Sequence, residues 1–92
     1  MPVEEMLATH PEGRPGDALL RCILACHECA QTCTSCADAC LAEDMVKELT
    51  QCIRFNLDCA DICAVSGAIA SRRTGSNEET ICRTLEACAT AC

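Results

Sequence analysis

Small and apolar residues recur every three or four positions along most of this chain, which is the spacing of one face of an α-helix. The pattern runs from 17 to 41 without Gly or Pro and predicts a first long helix with Asp17 as its N-cap. A second helix is predicted over about 45–72, with Asp44 as its cap. A third is predicted over about 77–92, opened by a capping box at 76–79. Residues 1–16 hold all three prolines and are predicted to be a lead and linker. We expect an all-α, antiparallel helical bundle over 17–92.

The inward stripe of the first predicted helix carries cysteine where a helix normally presents Leu, Ile or Val. The steps between successive cysteines are 4, 3, 4, 3 and 4 residues. This spacing is the period of a helix that packs against neighbours, so the thiols form a ladder along one stripe. The six cysteines of the ladder are Cys22, Cys26, Cys29, Cys33, Cys36 and Cys40.

The second and third predicted helices also carry cysteines. The inward positions of the second helix are Met45, Leu49, Cys52, Asn56, Cys59, Cys63, Ser66 and Ala70. The third helix carries Cys82, Cys88 and Cys92, and the six-residue step between the first two prevents both from facing the bundle axis.

Bulky side chains are scarce. Phe55 is the sole aromatic residue among 92, whereas Cys occurs twelve times. Such a core buries little area per residue and is marginal by itself, so metal, disulfides or other subunits are expected to stabilise it.

The net charge of −7 argues against nucleic acid and anionic membranes as partners. Apolar runs are too short for a transmembrane span, and the acidic N-terminus lacks a signal-peptide core. We therefore expect a cytoplasmic protein with reduced thiols, in which clustered cysteines indicate metal binding. A scaffold crosslinked by disulfides is another interpretation of the twelve cysteines, but it requires an oxidising compartment.

Thiolates select Cu(I), Zn(II) or iron–sulfur clusters. Zinc is disfavoured because neighbouring sulfurs on one straight helix do not close a tetrahedral cage. The ferredoxin spacing C-x2-C-x2-C-x3-C-P is absent. Cu(I) needs only two or three thiolates, and exchange of one proton for one Cu(I) leaves the core charge unchanged. Storage of multiple Cu(I) ions is the favoured function, and an iron–sulfur electron carrier is the alternative.

The chain resembles the four-helix-bundle copper-binding proteins, of the type of the cytosolic bacterial copper storage proteins. The resemblance lies in M-L-A-T-H-P from position 6, C-I-L-A-C-H-E-C-A-Q-T-C-T-S-C-A-D-A-C-L-A-E from 22, and C-I-R-F-N-L-D-C-A-D-I-C-A from 52. It implies that all twelve cysteines are Cu(I) ligands and that the subunits form a homo-oligomer. The fourth helix of that family has no counterpart in this sequence.

A length comparison predicts an open groove. The third helix is long enough to reach the level of Cys29 or Cys33, which leaves Cys36, Cys40 and Cys52 uncovered. Either further residues after Cys92 or another chain would close the groove.

A few other residues fall near the thiol positions. Asn56 is expected to set the helix register rather than to bind metal, and Met45 is expected to pack in the core. His27 projects beside the ladder and is expected to be exposed or between subunits, and His10 is expected at the surface. No nucleophile–base set, carboxylate pair or phosphate loop is present, so we do not expect an enzyme.

Overall fold

The structure is a computed structural model that describes residues 2–92. Its four α-helices are α1 (Pro2–Ala8), α2 (Asp17–Leu41), α3 (Thr50–Ser71) and α4 (Glu78–Ala91), and no strand occurs within 2–92. The α2 and α3 helices form a long antiparallel hairpin, α4 packs against α3, and α1 packs against α2. The all-α prediction is confirmed.

The helix starts differ from the predicted caps. Gly16 is the N-cap of α2, and Asp17 is the first helical residue. The negative charge of Asp17 interacts favourably with the positive end of the helix dipole there. Residues Val46–Leu49 form a 3-10 turn, so the helix predicted from about 45 begins at Thr50 and Asp44 does not cap it. Tight turns of this kind are frequent at helix ends.

The connection from α3 to α4 contains Gly75 at φ 76°, a left-handed conformation that glycine adopts at low cost. The predicted capping box at 76–79 does not form. Asn77 is the N-cap of α4, and its Nδ2 donates to the carbonyl of Ile69 at 3.4 Å, which joins the start of α4 to α3.

Conventional apolar packing is confined to one end of the bundle. Leu7, Leu20, Ile23 and Ala70 form a buried cluster there, with α1 lying across it. Arg73 Nη2 donates to the carbonyl of Leu7 at 3.0 Å and ties α1 to the end of α3. The remaining interior is lined mainly by sulfur and small side chains.

The molecule is long and thin, with extents of 50 × 27 × 16 Å. Its radius of gyration is 15.3 Å, whereas a compact chain of this length has about 12 Å. The 14 residues of α4 cover only part of the 25-residue α2, so one end of the α2–α3 hairpin projects beyond α4. Within residues 2–92, no helix combines the length and hydropathy needed to span a bilayer.

Candidate metal centre

Eleven of the twelve cysteines lie in one continuous series of neighbouring sulfurs along the bundle interior. The series divides into a central cluster, an inner end beside α4 and an outer end beyond it. The 4-3-4-3-4 ladder of α2 supplies one side of the series, and α3 and α4 supply the other.

The central cluster consists of Cys29 from α2, Cys59 and Cys63 from α3, and Cys92 after α4. All four sulfur atoms lie within 4.8 Å of one another. The distances are 3.6 Å from Cys29 to Cys59, 3.9 Å from Cys59 to Cys63, and 3.5 Å from Cys63 to Cys92. Three helices therefore converge on one point.

Cys59 and Cys92 are joined by a disulfide in the structure. Their Cα atoms are 5.3 Å apart, within the range that disulfides require. The other ten cysteines are free thiols, so the fold is not a disulfide framework.

The inner end of the series continues towards the apolar cluster. Cys63 Sγ lies 3.4 Å from Cys88 Sγ, and the thiols of Cys22 and Cys88 both flank Cys26. Gly67 permits this approach of α2 to α3, because a Cβ added there would lie 3.3 Å from Cys26 Cβ.

The outer end is held by an amide. Asn56 Nδ2 donates to Cys36 Sγ at 3.4 Å and to Cys52 Sγ at 3.6 Å, and so links α2 to α3. Cys29 and Cys33 sulfurs are 3.8 Å apart, which connects this end to the central cluster.

The uncovered groove predicted from helix lengths is present. Cys36 and Cys52 are exposed, and Cys40 is half-buried beside both of them. Cys29 and Cys33 are half-buried, at the limit of the region that α4 covers.

Cys82 stands apart from the other cysteines. It is exposed, and its sulfur donates to Glu86 Oε1 at 3.8 Å on the outer face of α4. Of the two cysteines that cannot both face inward, Cys88 is therefore the inward one and Cys82 the outward one.

Burial keeps the inner thiols protonated. Burial, reinforced by the neighbouring thiols of Cys22 and Cys88, raises the pKa of Cys26 to about 11. Burial and contacts with Cys88 and Cys29 raise the pKa of Cys63 well above its usual range. Burial also raises the pKa of Cys33 and of Cys40. At neutral pH a metal ion must displace protons from these sulfurs.

Met45, His27 and His10 do not belong to the sulfur series. Met45 is 57% exposed, so the expected core packing is wrong. His27 is exposed and lines a groove between α2 and α3 with Ile23, Ala30 and Gly67. His10 is half-buried in the linker, where its Nδ1 accepts a hydrogen bond from the Glu12 backbone N–H at 3.0 Å.

Sequence reasoning missed the closed shape of the central cluster. It considered neighbouring sulfurs on one helix, whereas the four sulfurs come from three helices. The geometric reason given against a tetrahedral metal therefore does not hold at this cluster. The signal that could have revealed it was the C-x3-C pair at 59–63, which faces the ladder at the level of Cys29.

The copper storage protein family model matches residues 16–92 of the chain. The chain belongs to the copper storage protein family. The match includes the complete sulfur series and leaves out α1 and most of the linker.

Solved structures of a copper storage protein from Streptomyces lividans share the fold. One, loaded with 10 copper equivalents, is 47% identical and has a TM-score of 0.88, with 98% of this chain and 70% of that chain covered. A second, of a cytosolic copper storage protein with five coppers, is 51% identical and has a TM-score of 0.80, with 83% and 63% covered. A cysteine-rich protein of Bacillus subtilis, YhjQ, is 40% identical over 76 residues, which cover 77% of this chain and 68% of that protein.

Proposed function

We propose that this chain stores copper as Cu(I) ions held by the thiolates of the eleven cysteines in the interior series. The proposed ligands are Cys22, Cys26, Cys29, Cys33, Cys36, Cys40, Cys52, Cys59, Cys63, Cys88 and Cys92. Cys82 is left out because its sulfur faces the Glu86 carboxylate on the outer surface.

The observation that carries the proposal is the continuity of the sulfur series. Successive sulfur–sulfur distances lie between 3.4 and 3.9 Å, from Cys88 through the central cluster to Cys33. Soft thiolates of this kind select Cu(I), and a sulfur with neighbours on both sides can bridge two ions. An uninterrupted series can therefore fill with many ions.

Charge balance supports a high capacity. Each Cu(I) that replaces one thiol proton leaves the local charge unchanged, so filling does not accumulate charge in the interior. A divalent ion held by four thiolates would leave a net charge of −2 at each site, and that charge would be costly to bury at many sites.

The proposal also covers the location of the protein and the absence of a catalytic step. The cytoplasm is the proposed location, supported by the S. lividans relative described as cytosolic. We propose no catalytic step, since the thiols of the series serve as ligands and no conventional catalytic set accompanies them in the described part of the chain.

A homo-oligomer is also proposed. At the outer end of the hairpin, Leu41, Met45 and Phe55 are between 55% and 59% exposed. A second copy that covered these side chains would remove apolar area from water. Light scattering on reduced protein gives the molar mass, and a monomer with full copper capacity would contradict the oligomer.

The iron–sulfur alternative gains no support from residues 2–92 or from the copper-containing relatives. A visible absorbance band in the purified, reduced protein would favour it, because Cu(I) thiolates are colourless.

An anaerobic Cu(I) titration of fully reduced protein tests the function. Ultraviolet thiolate-to-metal bands report loading while a chromogenic Cu(I) chelator competes for the ion. We expect a break near one Cu(I) per interior cysteine, with the chelator colourless until then. A break at only a few equivalents would reject storage. The C82S variant is the matched control and should keep the wild-type capacity, whereas C63S should lose part of it.

A further inference from the structure

The central cluster differs from the rest of the sulfur series in shape. At the outer end, Cys36, Cys40 and Cys52 lie in an open groove. At the central cluster, Cys29, Cys59, Cys63 and Cys92 instead surround one point from three helices.

Three of the six sulfur–sulfur edges of the cluster fit a single tetrahedral ion. A Zn–S bond of about 2.3 Å gives a tetrahedron with edges of about 3.8 Å. The Cys29–Cys59, Cys59–Cys63 and Cys63–Cys92 distances are 3.6, 3.9 and 3.5 Å. These three edges lie within a few tenths of an ångström of that value without any movement of the helices.

A fourth of the six edges, Cys59–Cys92, depends on the oxidation state of the two cysteines. Cys59 and Cys92 share a disulfide, so two of the four ligands are withdrawn in the oxidised protein. Reduction by a dithiol transfers two electrons and two protons, breaks the S–S bond, yields two thiols and leaves the dithiol as a disulfide. Side-chain rotation then separates the two sulfurs.

We propose that the reduced central cluster is a binding site for one Zn(II) ion, separate in chemistry from the copper series that passes through it. Binding replaces four thiol protons with one divalent ion and leaves a net charge of −2 on the four-thiolate site. Cys59 and Cys63 are buried, whereas Cys29 is half-buried and Cys92 is exposed, so the site borders water on one side. Water on that side screens part of the charge, which a fully buried site would leave uncompensated.

The proposal limits zinc to one site per chain. The outer end offers three thiols and the Asn56 amide in an open groove. Within residues 2–92, the central cluster is the one set of four cysteines whose sulfur atoms all lie within 4.8 Å of one another. Tetrahedral S4 coordination by four thiols is thus confined to the central cluster.

Co(II) is the probe, because its visible d–d bands are strong in a tetrahedral thiolate site and weak in octahedral coordination. The dithiol-reduced, copper-free protein is freed of the reductant and titrated anaerobically with Co(II), then with Zn(II). We expect tetrahedral bands that saturate at one Co(II) per chain and disappear when one equivalent of Zn(II) is added. Weak octahedral absorbance, or saturation well above one equivalent, would overturn the proposal.

Variants locate the site. C92S should lose the tetrahedral S4 spectrum and weaken Co(II) binding at least tenfold, whereas C82S should titrate as the wild type. Because Cys92 is an exposed residue at the C-terminal end of α4, C92S should keep the helical circular dichroism of the wild type. Wild-type bands in C92S would contradict the assignment. Protein that retains the Cys59–Cys92 disulfide should give no tetrahedral bands, and the copper titration reports the storage function independently.

Discussion

Gly67 of α3 lies directly against Cys26 of α2, so that a Cβ at position 67 would stand 3.3 Å from the Cys26 Cβ. The absence of a side chain at Gly67 sets how closely the two helices approach at the inner end of the sulfur series. Substitution G67L should force α2 and α3 apart and lower the free energy of unfolding by about 1–3 kcal/mol. Urea denaturation of the reduced, metal-free protein measures this, with A68L on the exposed neighbouring residue as the control. Equal stability of the two variants would contradict the close contact.

The raised thiol pKa values predict that the metal-free protein loses stability in alkali. The pKa of Cys26 is about 11 in the folded chain, and burial raises that of Cys63 as well, whereas an unfolded thiol titrates near 8.5. Above about pH 8.5 the unfolded chain loses protons that the folded chain keeps, so stability falls as the pH rises towards 11. Below that window the contribution is fully present. Anaerobic thermal unfolding of reduced protein at pH 7 and pH 10 should show a lower midpoint at pH 10. The copper-loaded protein, whose thiols are already deprotonated, should show a much smaller difference.

The same protonation state predicts proton release on loading. The raised pKa values of Cys26, Cys33, Cys40 and Cys63 keep these thiols protonated at neutral pH, and Cu(I) binds the thiolate. Addition of Cu(I) at pH 7 should release about one proton per cysteine engaged, measured with a pH indicator in weakly buffered anaerobic solution after correction for the Cu(I) source. Loading without proton release would show that the sulfurs are not the ligands.

Cys82 should remain reactive in the loaded protein. Its sulfur is exposed and separate from the series, so copper in the interior does not occupy it. A maleimide should add once to each copper-loaded chain, and mass spectrometry of the digest should place the adduct on Cys82. The C82S variant should give no adduct, and labelling spread over Cys36 or Cys52 instead would contradict the assignment.

Asn56 should affect stability and copper retention only at the outer end of the sulfur series. Its amide donates to Cys36 and Cys52 on different helices, and the N56L variant removes both hydrogen bonds. We expect a loss of about 1 kcal/mol in the stability of the metal-free protein and weaker retention of part of the bound Cu(I) against a chelator. The T50L variant, at the start of the same helix, is a control for hydrophobic substitution. Unchanged stability and unchanged Cu(I) retention in N56L would contradict this role of the amide.

Much of this site follows from helical periodicity. The 4-3-4-3-4 ladder in α2 and the Cys59–Cys63 pair in α3 specify their own inward faces, because a helix fixes the angle between successive residues. The phase of α4 was not determined in this way. Cys82 and Cys88 are about 120° apart around a helix, and only the packing of α4 on α3 decides which of them meets Cys63.

The helix caps were the least predictable local feature. Asp17, Asp44 and the 76–79 segment have suitable residue types, yet none forms the expected cap. At Asn77, for example, a hydrogen bond to the Ile69 carbonyl on α3 takes the place of a cap to its own helix. Tertiary contacts of this kind cannot be read from a local motif.

The confinement of apolar packing to the Leu7, Leu20 and Ile23 end has a consequence for how long the molecule survives. Over the rest of its length the empty hairpin is held by small side chains and weak thiol contacts, which makes local opening inexpensive there. Every ion that binds the folded chain and not the unfolded chain stabilises it by mass action. A protease that attacks opened chains will therefore remove empty molecules faster than full ones, and the abundance of the protein will follow the supply of its metal even at a constant rate of synthesis.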